Sequence, residues 1–114
     1  MEDCLFCKII KKELPADIIY EDDDFLSFRD ISPRAPIHFL IIPKKHIPSI
    51  NHLDQKDKEL MGKLFLTASE IARKQKVSDK GYRLIINVGK DAGQAVAHLH
   101  LHLLAGKTLS WPKY

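Results

Sequence analysis

Apolar and polar positions alternate most strictly in HLHLHLL, residues 98–104. Successive side chains of an extended chain point to opposite faces. His98, His100 and His102 therefore share one side of a strand, and Leu99, Leu101 and Leu103 face a core on the other. In a helix the same spacing turns about 200° per two residues and scatters the histidines. The alternation predicts a strand over VAHLHLHLL, residues 96–104. An affinity tag does not fit, because the stretch is internal and LAGKTLSWPKY follows it.

Upstream, the period changes. In LFCKIIKKE, Leu5, Phe6, Ile9 and Ile10 fall on one helical face, with Asp3 as a candidate cap and Pro15 as the stop. ADIIYE and FLSFRD flank an acidic turn and predict a hairpin. SPRAP is a rigid loop, and IHFLII is a third strand stopped by Pro43. NHLDQKDKELMGKLFLTASEIARKQK predicts the long helix, capped by Asp54. Its core face is Leu60, Met61, Leu64, Phe65, Ala68, Ile71 and Ala72. YRLIINV is a fourth strand and GKDAGQ a glycine-rich loop before the histidines. The expected fold is one α+β domain over residues 1–114. It has a five-stranded, largely antiparallel sheet with one short and one long helix.

The 114 residues suit one domain, and 45% hydrophobic with 29% charged is ordinary globular composition. The formal net charge is +3, with basic residues in small scattered groups such as Lys44 and Lys45, or Arg73, Lys74 and Lys76. That pattern reads as solvated faces and not as a nucleic-acid footprint, and it suits a small anionic ligand equally well. MEDCLFCKIIKKE is acidic before its short apolar run, unlike a secretory leader, and no run approaches the ~20 apolar residues of a membrane span. A cytoplasmic protein without membrane partners is expected. The two cysteines form a single CxxC, so a disulfide framework is excluded.

Three readings compete for the histidine row: polar filling of a wet face, a metal set of neutral imidazoles, or a site for an anionic substrate with one histidine as nucleophile or base. The preceding loop, NVGKDAGQ, has two glycines that allow backbone amides to approach phosphate oxygens, or simply connects two strands. In FRDI, Asp30 at a strand end can bond a ribose diol while Phe28 and Ile31 touch a base, or can merely cap the strand. Cys4-x-x-Cys7 is half of a tetrahedral zinc site. As a redox pair it lacks a βαβ context.

HLHLHLL matches the His-φ-His-φ-His-φ-φ signature of the histidine triad superfamily, φ being apolar. CLFCKII, EDDDFLSFRDISPRAPIHFLIIPKKHI, GYRLIINVGKDAGQAV and the closing SWP resemble, in order and over essentially the whole chain, the histidine triad nucleotide-binding proteins that act as purine nucleoside phosphoramidases. The resemblance implies a homodimer whose two sheets join, and an AMP- or GMP-type purine nucleotide beside the triad. It implies that Asp30 holds the ribose, that Phe6, Ile9, Phe28, Ile31 and Leu40 surround base and sugar, and that Asn87, Gly93, Gln94 and Ala95 meet the phosphate. It makes His100 the nucleophile, His102 a phosphate contact, His38 and His98 supports of the central imidazole, and Trp111 a tail residue near the partner's site.

The implied reaction is hydrolysis of nucleoside 5′-phosphoramidates and related acyl or aminoacyl adenylates through a nucleotidyl-histidine, with no cofactor required. Dinucleoside polyphosphate hydrolysis, or a purine-nucleotide adaptor with incidental catalysis, are the alternatives. Some superfamily members bind a structural zinc through an N-terminal CxxC, a histidine like His46 and the first triad histidine; here Cys4, Cys7, His46 and His98 match. The alternative is two unligated cysteines. One departure stands out. Close relatives often carry serine, which can protonate the leaving group, where this chain has Ala95.

Overall fold

The computed structural model describes residues 3–110. Five strands, β1 (Ile18–Glu21), β2 (Phe25–Arg29), β3 (Ile37–Pro43), β4 (Arg83–Ile85) and β5 (Leu101–Ala105), form one sheet in the order β1-β2-β3-β5-β4. All neighbours are antiparallel. The short helix α1 spans Leu5–Ile10 and the long helix α2 spans Lys58–Lys74. The α+β class and the sheet follow the expectation from sequence.

The sheet buries both faces. On one, Phe25, Phe39, Ile41, Leu99, Leu101 and Leu103 pack with Leu64, Ala68, Ile71 and Ala72 of α2. On the other, Leu26, Phe28, Leu40 and Ile42 pack with Phe6 and Ile9 of α1. The leucines of the histidine row thus lie on the α2 side, as the alternation requires.

Several boundaries differ from the expected ones. α1 is capped by the Cys4 sulfur, which accepts from the Cys7 amide, and not by Asp3. It ends at Ile10, because Lys12 turns left-handed at φ 66°, three residues before Pro15. Leu5 is exposed. The long helix starts later than predicted. Asp54 caps a short 3-10 turn, Gln55–Asp57, in a reciprocal box with Asp57, and α2 begins only after it. Phe65 points outward although its spacing suggested core. β4 covers three residues of YRLIINV.

The largest difference concerns the histidine row. β5 starts at Leu101, so His98 and His100 precede the strand in an irregular approach. Leu99 still reaches the core, but its amide bonds the Ile47 carbonyl at 2.7 Å.

Candidate active site

β3 and β5 carry the site between them. Their register sets His38 opposite Leu104 and Leu40 opposite His102. Directly opposed residues of an antiparallel pair share a face, so both rings stand on the α1 side of the sheet.

The backbone then decides where each ring proton sits. A neutral imidazole has one N–H donor and one bare acceptor nitrogen. A carbonyl can only accept and an amide N–H can only donate, so each such partner fixes a tautomer. His100 Nδ1 lies 2.7 Å from the His98 carbonyl oxygen, so Nδ1 donates and Nε2 is bare. His98 Nε2 lies 2.8 Å from the Pro43 carbonyl oxygen, so Nε2 donates and Nδ1 is bare. The Arg34 amide donates to His38 Nδ1 at 3.1 Å, which places the His38 proton on Nε2. That N–H faces His102 Nδ1 at 2.9 Å, with Asp30 Oδ2 at 3.5 Å from the same nitrogen. His102 therefore keeps its own proton on Nε2.

Burial favours the neutral form of His38, His98 and His102. Burial first, then the adjacent His100 and His38, pull His102 down to about 4 against the opposing Asp30 carboxylate. Burial also lowers His38, again with Asp30 opposing. His100 and His102 both line a cavity of about 430 Å³, within the ~300–1,000 Å³ of small-molecule sites. With both Nδ1 atoms engaged by protein, the nitrogens left for a ligand differ in kind. His100 offers a bare nucleophilic Nε2, and His102 offers an Nε2–H donor.

Two groups among the described residues bring enough donor atoms together for a metal ion: Cys4, Cys7, His46 and His98, and Asp30, His38 and His102. In the first, the bare His98 Nδ1 lies 3.3 Å from Cys4 Sγ, 3.6 Å from Cys7 Sγ and 3.1 Å from His46 Nδ1, and Cys7 Sγ is 3.3 Å from His46 Nδ1. Bonds of ~2.0–2.3 Å arranged tetrahedrally around zinc place ligand atoms about 3.3–3.8 Å apart; the three sulfur–nitrogen distances fall in that range and the His46–His98 pair lies just below it, so the cluster needs only a slight opening to hold the ion. In the second group the His38 proton sits on the nitrogen a metal would need. The Arg34 amide enforces that tautomer, so this group is a hydrogen-bonded relay and a poor ligand set.

Comparison with known proteins gives the family. The model of the HIT domain matches residues 11–109. The chain belongs to the HIT domain family. It is 49% identical over 111 residues to an uncharacterised HIT-like protein of Synechocystis, covering 97% of this chain and 96% of that one. The crystal structure of a HIT family hydrolase from Legionella pneumophila superposes with a TM-score of 0.95 at 49% identity, covering 96% of this chain and 98% of that one. A histidine triad nucleotide-binding protein from Candida albicans gives 0.81 at 31%, covering 98% and 85%.

Of the residues expected at the HIT site, Phe6, Asp30, His38, Leu40, Asn87, Gly93, Ala95, His100 and His102 line the cavity. Ile9 and Phe28 lie in the apolar cluster that backs Phe6 and Leu40. Ile31 is 99% exposed and outside the lining. Gln94 is turned into its own loop, accepting from the Gly89 amide and donating to the Pro48 and Val96 carbonyls. The amides of Gly93 and Gln94 are engaged by the Lys90 and Gly89 carbonyls. Trp111 falls outside the described residues. Sequence reasoning missed Ser32, Arg34, Ile85, Ala92, Val96 and Leu104 in the lining. The period-two pattern extended past His102 would have found Leu104. Ile85 lies there because it pairs with His102 across β4 and β5.

The neutral histidines predict how stability depends on pH. His38 and His102 bind protons less readily in the folded protein than in the unfolded chain, where histidine titrates near 6.5. The unfolded state therefore binds more protons below that pH, and stability falls as pH drops from 6.5 toward 4. The expected slope is up to about 1.4 kcal/mol per pH unit for each histidine held neutral. Urea unfolding at pH 7.5, 6 and 5 measures it, and a midpoint flat across that range would contradict the assignment.

Proposed function

We propose that this HIT protein hydrolyses nucleoside 5′-phosphoramidates and related acyl or aminoacyl adenylates, releasing nucleoside monophosphate. The observation that carries the reading is the bond from His100 Nδ1–H to the His98 carbonyl, which leaves Nε2 bare at the cavity. Nucleotide binding is supported by the activity for which the Candida albicans relative is named, and hydrolysis by the description of the Legionella relative.

In this mechanism the base and sugar rest against Phe6 and Leu40, with the ribose hydroxyls on Asp30. His100 Nε2 attacks the α-phosphorus and the bond to the leaving nitrogen or oxygen breaks, an amine departing with a proton taken from solvent because Ala95 has none to give. As the imidazole becomes cationic, its Nδ1–H bond to the His98 carbonyl strengthens. His102 Nε2–H and Asn87 meet the phosphoryl oxygens, where charge gathers in the transition state. Water then attacks the nucleotidyl-histidine, returning the bare Nε2 and releasing the monophosphate. The loop contributes less than expected, since the Gly93 and Gln94 amides are engaged within it.

The dimer implied by resemblance would join two sheets at an outer strand, β1 or β4. Cys4, Cys7, His46 and His98 would hold a zinc ion with four protein ligands and no open position, which is a structural role.

Three measurements test these points. His100→Asn should lose hydrolysis of adenosine 5′-phosphoramidate by ~10³-fold or more while still binding AMP. Tight AMP binding by a wild type inactive on every adenylate would favour the adaptor reading instead. Ala95→Ser should raise kcat on simple phosphoramidates, because a hydroxyl can protonate a basic amine on departure. A rate unchanged or lowered by that substitution would count against the missing-proton explanation. Metal analysis should find one zinc per chain in the wild type and none in Cys7→Ala; a wild type purified without zinc would sink the structural-zinc claim.

A further inference from the structure

A second cavity, of about 580 Å³, opens where α2 ends and β4 begins. It is larger than the histidine cavity and shares no lining residue with it. Three segments wall it: Lys76 and Val77 beyond α2, residues 80–83 leading into β4, and residues 106–109 leaving β5. Every charged side chain in the lining is a cation, namely Lys76, Lys80, Arg83 and Lys107. Asp79 stands in the same turn as Lys80 but outside the lining. The sequence scatters these cations over 32 positions, from Lys76 to Lys107, and the fold gathers them around one space.

Arg83 shapes the wall. Its guanidinium donates to the Ser110 carbonyl at 3.0 Å and to the Leu109 carbonyl at 3.4 Å, which ties the outgoing segment to the start of β4. Gly106 makes the turn at the exit of β5. Its φ is 97°, and a Cβ there would stand 2.9 Å from the Pro36 Cβ, so only glycine fits. The three lysines have no such structural duty. Lys12, Lys44, Lys45, Lys63 and Lys74 each meet a carboxylate at 2.7–3.7 Å, whereas among the described residues Lys76, Lys80 and Lys107 meet none. The end of α2 does not occupy their amines either. The carbonyls of Ile71, Ala72 and Arg73 already accept from the amides of Gln75, Val77 and Lys76. Lys76 itself sits at φ 61°, the left-handed position after a helix that glycine adopts more easily. The chain keeps a cation there at a conformational cost.

Ammonium groups that share a cleft repel one another, and walls of one sign concentrate the field inside it. A lysine is a point charge with three donors, suited to phosphate oxygens. A monoanion would offset one of the three. Linked phosphates place several charges within a few ångströms and offset them together. The volume lies within the ~300–1,000 Å³ of small-molecule sites, and the scattered cations elsewhere offer a nucleic acid no track leading out of the cleft. We propose that this cleft binds an oligophosphate, free or carried on a nucleotide, through Lys76, Lys80 and Lys107, with the Thr108 hydroxyl as a further donor. The site is independent of how the histidine cavity is read.

The test titrates tripolyphosphate into the full chain by calorimetry, with and without saturating AMP. One variant carries Lys76→Gln, Lys80→Gln and Lys107→Gln. A control carries Lys56→Gln, Lys58→Gln and Lys90→Gln, which remove the same charge outside the cleft. The expected result is binding that AMP does not displace, weakened ~10-fold or more in the cleft variant and little changed in the control. ATP titrated into the AMP-saturated protein separates the two sources. Tighter binding of ATP than of tripolyphosphate supports a nucleotide-borne chain, and the reverse supports a free one. Should the cleft variant fail to fold, amine acetylation of the wild type decides. Tripolyphosphate should then shield Lys76, Lys80 and Lys107 more than Lys56, Lys58 and Lys90. No binding at millimolar tripolyphosphate overturns the proposal, as does displacement by AMP or an equal loss in both variants. If AMP does not bind at all, the proposed function fails separately, and the acetylation pattern still locates the tripolyphosphate.

Discussion

A histidine can attack phosphorus only through a nitrogen that carries no proton, and a neutral imidazole in water distributes its proton over both nitrogens. The contact between His100 Nδ1 and the His98 carbonyl removes that freedom. The same logic runs outward. The Arg34 amide decides His38, His38 decides His102, and the Pro43 carbonyl decides His98. Four rings are thus assigned by three backbone groups and one another, with no charge buried to do it. Burial, which is costly for a cation, here works in favour of the site by favouring the neutral form of His38, His98 and His102.

The break in the histidine strand belongs to this arrangement. In a regular antiparallel strand the carbonyl of every second residue is drawn into the ladder, and residues 98, 100 and 102 would all turn theirs the same way. Had β5 extended to His98, that carbonyl would serve a neighbouring strand and could not meet a side chain two residues on. The chain instead leaves the ladder before Leu101, keeps Leu99 in the core, and frees the His98 carbonyl for His100. The alternation of leucine and histidine survives because the core needs it, even where the strand does not.

This explains what could be seen in the sequence and what could not. Strict alternation exposed the shared face of the histidines and the buried face of the leucines, and the helical spacing of Leu64, Ala68, Ile71 and Ala72 exposed the core face of α2. These signals are local and repeat several times. The positions that went astray depend on single or distant partners. Phe65 sits at a helical spacing that suggested core but points outward. Gln94 stands in a phosphate-like loop, but Pro48, far away in the chain, takes its amide nitrogen. Asp3 is the better cap by residue type, yet the Cys4 sulfur is the atom that reaches the Cys7 amide.

The two clusters of potential ligands show the same limit. By residue type, Asp30, His38 and His102 form a respectable metal set, and their atoms converge as closely as those of Cys4, Cys7, His46 and His98. What separates them is a single backbone contact on each side. Pro43, a carbonyl, pulls the His98 proton away from the cluster and leaves a lone pair facing the sulfurs. Arg34, an amide, pushes the His38 proton toward its neighbours and fills the space a cation would take. Reversing the sense of one of these hydrogen bonds would change the donor set of its own cluster alone. The chemistry of each histidine here is therefore a property of the backbone group behind it as much as of the ring.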